Sequence, residues 1–251
     1  MIRPFITTQP LLILVGVTGV GKSTTVQALI DEGLSFHLLP NRRVLTSRLI
    51  VAPLLKEEGQ PIRELSRLER LPYISRYRAR YPGGMAHALA QWQIEPAREG
   101  QLFLFDGLRG ENEIRYAVNA LPLATFIALE TPDIIRLQRL LKRQDPYDQM
   151  GSPHQDQLAT PGCFAALGLP EAATMFTAQQ EQALFARVQR AEIALSDLQD
   201  KLRLMTVERR LYDAKGTLAA LRKIASNRTL VIDTTHHSPQ QVARKIISKV
   251  R

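Results

Sequence analysis

A chain of 251 residues with 45% hydrophobic and 23% charged side chains is long enough for a core with an embellishment, and its composition excludes wholesale disorder. No apolar run approaches the roughly 20 residues of a membrane-spanning helix, and the single cysteine, Cys163, excludes an intrachain disulfide or a cysteine-based metal cluster. A formal charge of +9 fits either a nucleic-acid partner or a cleft for phosphorylated ligands; the arginines from Arg42 to Arg80 and from Arg136 to Arg143 are interspersed with carboxylates, which favours the cleft.

In chain order, Met1-Ile-Arg-Pro-Phe5 leads so soon into an apolar segment that no cleavable signal fits, and a cytoplasmic protein is expected. Leu11-Leu-Ile-Leu-Val15 is a continuous apolar run ended by glycine, the pattern of a parallel strand buried on both faces. Lys22 to Ile30 places Val26, Leu29 and Ile30 at helical spacing. A second strand is expected at Ser35 to Leu39. Residues 41–98 then read as a flap of short helices broken by Pro53, Pro61, Pro72 and Pro82-Gly-Gly84.

Leu102 to Phe105 forms a third strand ending in Asp106, and Glu111 to Asn119 a helix on which Glu111 and Glu113 read as solvated. A fourth strand, Ala124 to Leu129, precedes a helix from Pro132 to Arg143, with Thr131 as its expected cap. Gln144 to Ala173 reads as a loop able to act as a lid. Thr174 to Ala225 carries a heptad-like set, Val188, Ala191, Leu195, Leu198, Leu202, Met205 and Tyr212. One helix from Thr174 to Asp213 would be about 60 Å long, with an apolar seam to bury in a hairpin, against the core or in a homodimer through 174–225. A fifth strand, Thr229 to Ile232, and a helix from Pro239 to Val250 close the chain. The alternation predicts an α/β fold, a five-stranded parallel sheet covered by helices on both faces.

The chemistry centres on Gly16-Val-Thr-Gly-Val-Gly-Lys-Ser23, between the first strand and the first helix. Gly16, Gly19 and Gly21 let the backbone curl so that the amides of Thr18, Gly19, Val20, Gly21, Lys22, Ser23 and Thr24 face phosphate oxygens. Lys22 reaches the outer phosphates, Ser23 holds magnesium, and the helix N-terminus favours an anion. Asp106, at its strand end, is placed to reach the same Mg2+ or its waters. Arg136, Arg139 and Arg143 share one side of a helix, either as a clamp on a transferring phosphoryl group or as a solvated basic face. Arg42 and Arg43 follow the second strand on the side where an acceptor would lie, and Arg78 and Arg80 can join them.

Together, Gly16 to Thr24, Asp106-Gly-Leu-Arg-Gly-Glu-Asn-Glu-Ile114 and Arg136-x-x-Arg-x-x-x-Arg143-Gln-Asp145 resemble the nucleotide-kinase group of phosphate-loop proteins, most nearly the dephospho-coenzyme A kinase-like proteins. The likeness covers about residues 9–145 and 228–250. It implies a P-loop NTPase fold with strand order 2-3-1-4-5, an ATP-dependent phosphotransferase, Lys22 and Ser23 on phosphates and Mg2+, and lid arginines Arg139 and Arg143 closing over ATP. The Asp-Gly-Leu-Arg109 segment places Arg109 with Arg42 and Arg43 as substrate residues. After the second strand the chain has Pro40-Asn-Arg-Arg43 where dephospho-coenzyme A kinases carry acidic residues. The expected organisation is a kinase-like core, 1–145 and 228–251, with 146–227 as lid loop and long helical insert. The expected function is phosphoryl transfer from ATP to a small phosphorylated or nucleotide-like acceptor. An ATPase or nucleotide switch acting on a protein or nucleic acid, and a binding protein without catalysis, are the alternatives.

Overall fold

The computed structural model of the chain describes residues 3–95, 101–143 and 162–250. Its contacts divide it into two units, one of Met1–Val17, Gly21–Glu130 and Tyr212–Arg251, the other of Thr18–Val20 and Thr131–Leu211. Both divisions fall earlier than the expected 146 and 227. Helices at 133–142 and 195–211 share one hydrophobic core, whereas the helix at 214–224 packs on the one at 111–120.

In the first unit β1 (Leu11–Val15), β2 (His37–Leu38), β3 (Phe103–Leu108), β4 (Ala124–Glu130) and β5 (Thr229–Asp233) form a sheet in the order β2-β3-β1-β4-β5. Every pairing is parallel. This is the expected fold class, with the glycine-rich loop following the central strand. The helices described are, in chain order, α1 (Lys22–Asp31), α2 (Arg42–Thr46), α3 (Ala52–Glu57), α4 (Arg67–Arg80), α5 (Gly84–Ala90), α6 (Glu111–Ala120), α7 (Asp133–Lys142), α8 (Ala178–Gln189), α9 (Leu195–Leu211), α10 (Ala214–Ile224) and α11 (Pro239–Val250).

All five β1 side chains are buried, as a central parallel strand requires. Leu11, Ile13 and Val15 enter a core with Phe103, Phe105, Phe126 and, from the helices, Met85, Ile114 and Leu221. Leu12 and Leu14 alternate to the other face and are equally buried. Helices α1 and α11 pack on each other, and α6 packs on both α5 and α10. At the outer edge β2 keeps two residues of the expected five.

The flap is helical, but two of its prolines do not break it where expected. A π-helical turn, Ser47–Val51, joins α2 to α3, and its wide turn accommodates Pro53 at the start of α3. Helix α4 runs through Pro72, anchored by a capping box between Ser66 and Glu69.

In the second unit, α7, α8 and α9 enclose Leu137, Leu140, Phe164, Phe185, Leu198, Leu202 and Met205. The expected long helix is interrupted after Gln189, where Ala191 takes a left-handed φ of 56°, and again before α10. Leu198, Leu202 and Met205 of the heptad-like set lie inside this core, with Val188 and Leu195 packed against it. That part of the seam is covered within the chain, without a second copy. Among the described residues, no helix is long and apolar enough to cross a membrane.

Candidate active site

The sharp turn out of β1 depends on glycine. Gly19 has φ 88° and Gly21, the N-cap of α1, has φ 103°, conformations that strain any residue carrying a Cβ. At Gly19 an added Cβ would also stand 3.3 Å from the Arg136 carbonyl and from Leu140. Lys22, 9% exposed, folds back over the loop and donates from Nζ to the carbonyls of Gly16 at 2.8 Å and Val17 at 2.9 Å. Ser23 and Thr24 are exposed on the first turn of α1, where helix N–H groups lack intrahelical partners and suit an anion.

Thr18, Gly19 and Val20 belong to the second unit, and their contacts there are specific. The Thr18 amide donates to Glu208 Oε2 at 3.1 Å and its hydroxyl to Oε1 at 2.5 Å. Arg136 donates from Nη2 to Glu208 at 3.1 Å, from Nε to the Thr18 carbonyl at 3.1 Å and from Nη1 to Asp133 at 2.8 Å. Arg139 Nη1 lies 3.5 Å from the Gly19 carbonyl, and Arg143 is exposed at the end of α7. The three arginines expected to share one face therefore serve different purposes. Arg136 is buried and holds the chain; Arg139 reaches the loop backbone.

Asp106 is set by a bulge in β3. Ile13 pairs with Phe105 but Val15 with Leu108, so β3 carries one residue more than β1 over this step. Such bulges re-aim side chains beside active sites. The neighbouring residue must be glycine, because a Cβ on Gly107 would lie 2.6 Å from the Phe105 ring and 2.9 Å from Arg42 Cβ. Burial pushes the Asp106 carboxyl above its ordinary range, and the positive charges of Lys22 and Arg109 oppose the shift without cancelling it.

Beyond Gly107 several of the arginines expected to bind an acceptor gather. Asn41 caps α2 by accepting from the Val44 amide, so Arg42 opens the helix. Its guanidinium donates to both oxygens of Glu113, at 2.7 and 2.6 Å, and to the Gly107 carbonyl. Burial alone would lower the Arg42 pKa, but Glu113 and Tyr212 hold it above its ordinary value. Glu113 is fully buried and also accepts from the Arg109 amide at 3.0 Å, which corrects its expected solvated position. Its helix presents it to the sheet side, where only a cation makes a buried carboxylate tolerable. Around the Tyr212 ring stand the guanidiniums of Arg42, Arg78 and Arg109, 5.6, 5.4 and 5.8 Å from its centroid. Arg43 is exposed, and Arg80 turns to Glu57 and the Tyr81 ring.

Sequence reasoning missed Glu113 and Glu208 as partners, and Tyr212 as a site residue. Tyr212 carried a usable signal, because Tyr212-Asp213 separates two helices and Asp213 caps the second. His237 uses Nδ1 on the Asp233 carbonyl at 2.8 Å. His154, Asp156 and Gln144, at which the expected lid loop starts, lie outside the described residues. Among the described residues, no group of three or more His, Cys, Asp or Glu side chains is placed to hold a metal. Mg2+ beside a triphosphate would need no such group, since phosphates and waters supply most of its oxygens.

No family model matches the chain, and no curated protein is similar to it in sequence. Among solved structures, an unliganded sugar kinase from Janibacter sp. HTCC2649 is similar at 15% identity, over 96% of this chain and 94% of that one, with a TM-score of 0.40. A shikimate kinase from Acinetobacter baumannii is similar at 15% identity over 97% and 93%, with a TM-score of 0.39. A sulfotransferase from Alicyclobacillus acidocaldarius is similar at 13% identity over 97% and 81%, with a TM-score of 0.44.

Proposed function

We propose that the chain is an ATP-binding phosphotransferase that moves the terminal phosphoryl group of ATP, with Mg2+, to a small phosphorylated or nucleotide-like acceptor in the cytoplasm. The observation that supports this reading is the tight glycine-rich turn from the central strand into α1, with Lys22 buried against it, and Asp106 at the bulge of the neighbouring strand β3. Lys22, Ser23 and the amides from Gly19 to Thr24 would hold the triphosphate, with Gly16 and Thr18 shaping the loop beneath it, and Ser23 with Asp106 would hold the Mg2+. Bound there, ATP supplies the transferable group and the metal spreads its charge. Lys22 would leave the loop carbonyls for the phosphates, exchanging dipole partners for charged ones.

Arg78 and Arg109 bind the anionic part of the acceptor, Arg42 lends its charge from its pair with Glu113, and Tyr212 fixes their spacing; Arg43, exposed beside Arg42, adds charge. Arg139 and Arg143 are assigned to neutralising the phosphoryl group in flight, a role worth on the order of a thousandfold in rate. The test is ADP formation from Mg-ATP against a panel of small phosphorylated compounds and nucleoside monophosphates. Acceptor-dependent ADP supports the proposal. ADP that appears only with DNA, RNA or protein, or no ADP at all, overturns it.

A further inference from the structure

The Thr18 contacts close a ring. Its amide and hydroxyl donate to Glu208, Glu208 accepts from Arg136, and Arg136 Nε returns to the Thr18 carbonyl. Every polar group of the third residue of the glycine-rich loop is engaged by two charged side chains. Glu208 is 1% exposed and Arg136 7%. A second ion pair extends the network, because Asp133 accepts from Arg136 at 2.8 Å and from Arg209 at 3.3 Å. Helices α7 and α9 thus both hold one loop residue.

We propose that Glu208 is a positioning residue for the phosphate loop, fixing Thr18 together with Arg136 so that the amides after it are set for a triphosphate before one arrives. The inference rests on the nucleotide-binding reading above. Two physical facts select a brace over a carboxylate that merely fills the loop until a nucleotide displaces it. Withdrawing Glu208 would strip the buried Arg136 of one of its two carboxylate partners, and breaking a buried pair is destabilising. The Thr18 hydroxyl bond is also short and charge-assisted, which makes it among the stronger kinds. A glycine-rich loop without such a hold samples many conformations, and binding must then order it.

The experiment titrates the full chain with a fluorescent methylanthraniloyl derivative of ATP and Mg2+, comparing wild type with Glu208→Gln, Thr18→Val and Thr18→Ser, alongside thermal melting. Glu208→Gln and Thr18→Val are expected to weaken nucleotide binding about tenfold or more and to raise KM for ATP, leaving KM for the acceptor unchanged. Thr18→Ser, which keeps the hydroxyl, is expected to bind as wild type. Should Glu208→Gln fail to fold, Thr18→Val still decides, because it leaves the Arg136–Glu208 pair in place. Unchanged or tighter nucleotide binding by Thr18→Val overturns the brace, as does a loss shared equally with the acceptor. If wild type itself binds no nucleotide, the phosphotransferase reading falls and the brace falls with it. If wild type binds and Thr18→Val matches it, the brace falls alone.

Discussion

Arg42 and Glu113 form a two-pronged ion pair, 2.6 and 2.7 Å, in which the carboxylate is fully buried and the guanidinium faces the Tyr212 ring. The pair joins the first residue of α2 to the first turn of α6, with the Gly107 carbonyl between them. It holds one wall of the proposed acceptor site.

Breaking one side of this pair strands a buried charge. Glu113→Ala is expected to cost about 3–5 kcal/mol of stability, which at roughly 2–4 °C per kcal/mol for a chain of this size lowers Tm by roughly 6–20 °C. Thermal melting followed by circular dichroism checks it.

Lys22→Ala removes the cation that serves the loop. Its present bonds go to two backbone carbonyls, so the fold should tolerate the change with a small Tm shift, while kcat/KM falls by about a hundredfold to a thousandfold, as when one preorganised charge-stabilising donor is lost. Steady-state ADP release is the measurement.

Asp106 is a stability cost that pH reveals. Its carboxyl is raised in the folded chain, so the folded state binds the proton more tightly than the unfolded one. The contribution of this one group to stability is therefore most favourable below the ordinary value of 3.8, falls as pH rises through the raised value and stays level above it. Asp106→Asn should melt higher than wild type at pH 7 in metal-free buffer, with the advantage vanishing in acid, and should lose turnover. Melting curves over a pH series give the sign.

Arg78→Gln should act on the acceptor alone, and Arg109→Gln, whose charge also bears on Asp106, on the acceptor first. A charged hydrogen bond is worth about 1.5–3 kcal/mol, so acceptor KM should rise about tenfold to a hundredfold while ATP affinity stays within about twofold. Measuring both constants for each variant separates the two sites.

Gly107→Ala forces a methyl group against Phe105 and Arg42. Overpacking of this kind costs about 1–3 kcal/mol, and here it also shifts the bulge that aims Asp106. The expected result is a lower Tm together with a turnover loss larger than the stability loss explains.

The sheet was legible in the sequence because its signals are local: the Leu11 to Val15 run, the glycine-rich turn and the carboxylate at Asp106 each announce themselves within a few residues. Tertiary partners were not. Glu113 looks like any helical glutamate until Arg42, 71 positions away, is brought to it. Glu208 meets Thr18 across 190 positions. The spacing of Arg136, Arg139 and Arg143 put all three on a helix; Arg136 and Arg139 are on α7, but Arg143 is the extended residue that ends it, and periodicity says nothing of which one a distant acid will claim. Pro72 misled for the opposite reason, since a capped helix with a packed face can absorb one missing N–H.

The pairing of Phe126 with Thr229 also bears on how the molecule is made. Strand β5 comes roughly a hundred residues after β4, and at about 5–20 residues per second of synthesis that interval lasts on the order of ten seconds. Throughout it the outer rim of β4 has no neighbour, and an open apolar rim is where nascent chains stick together. Chains truncated before Thr229 are expected to refold poorly and to aggregate on dilution from denaturant, which light scattering checks.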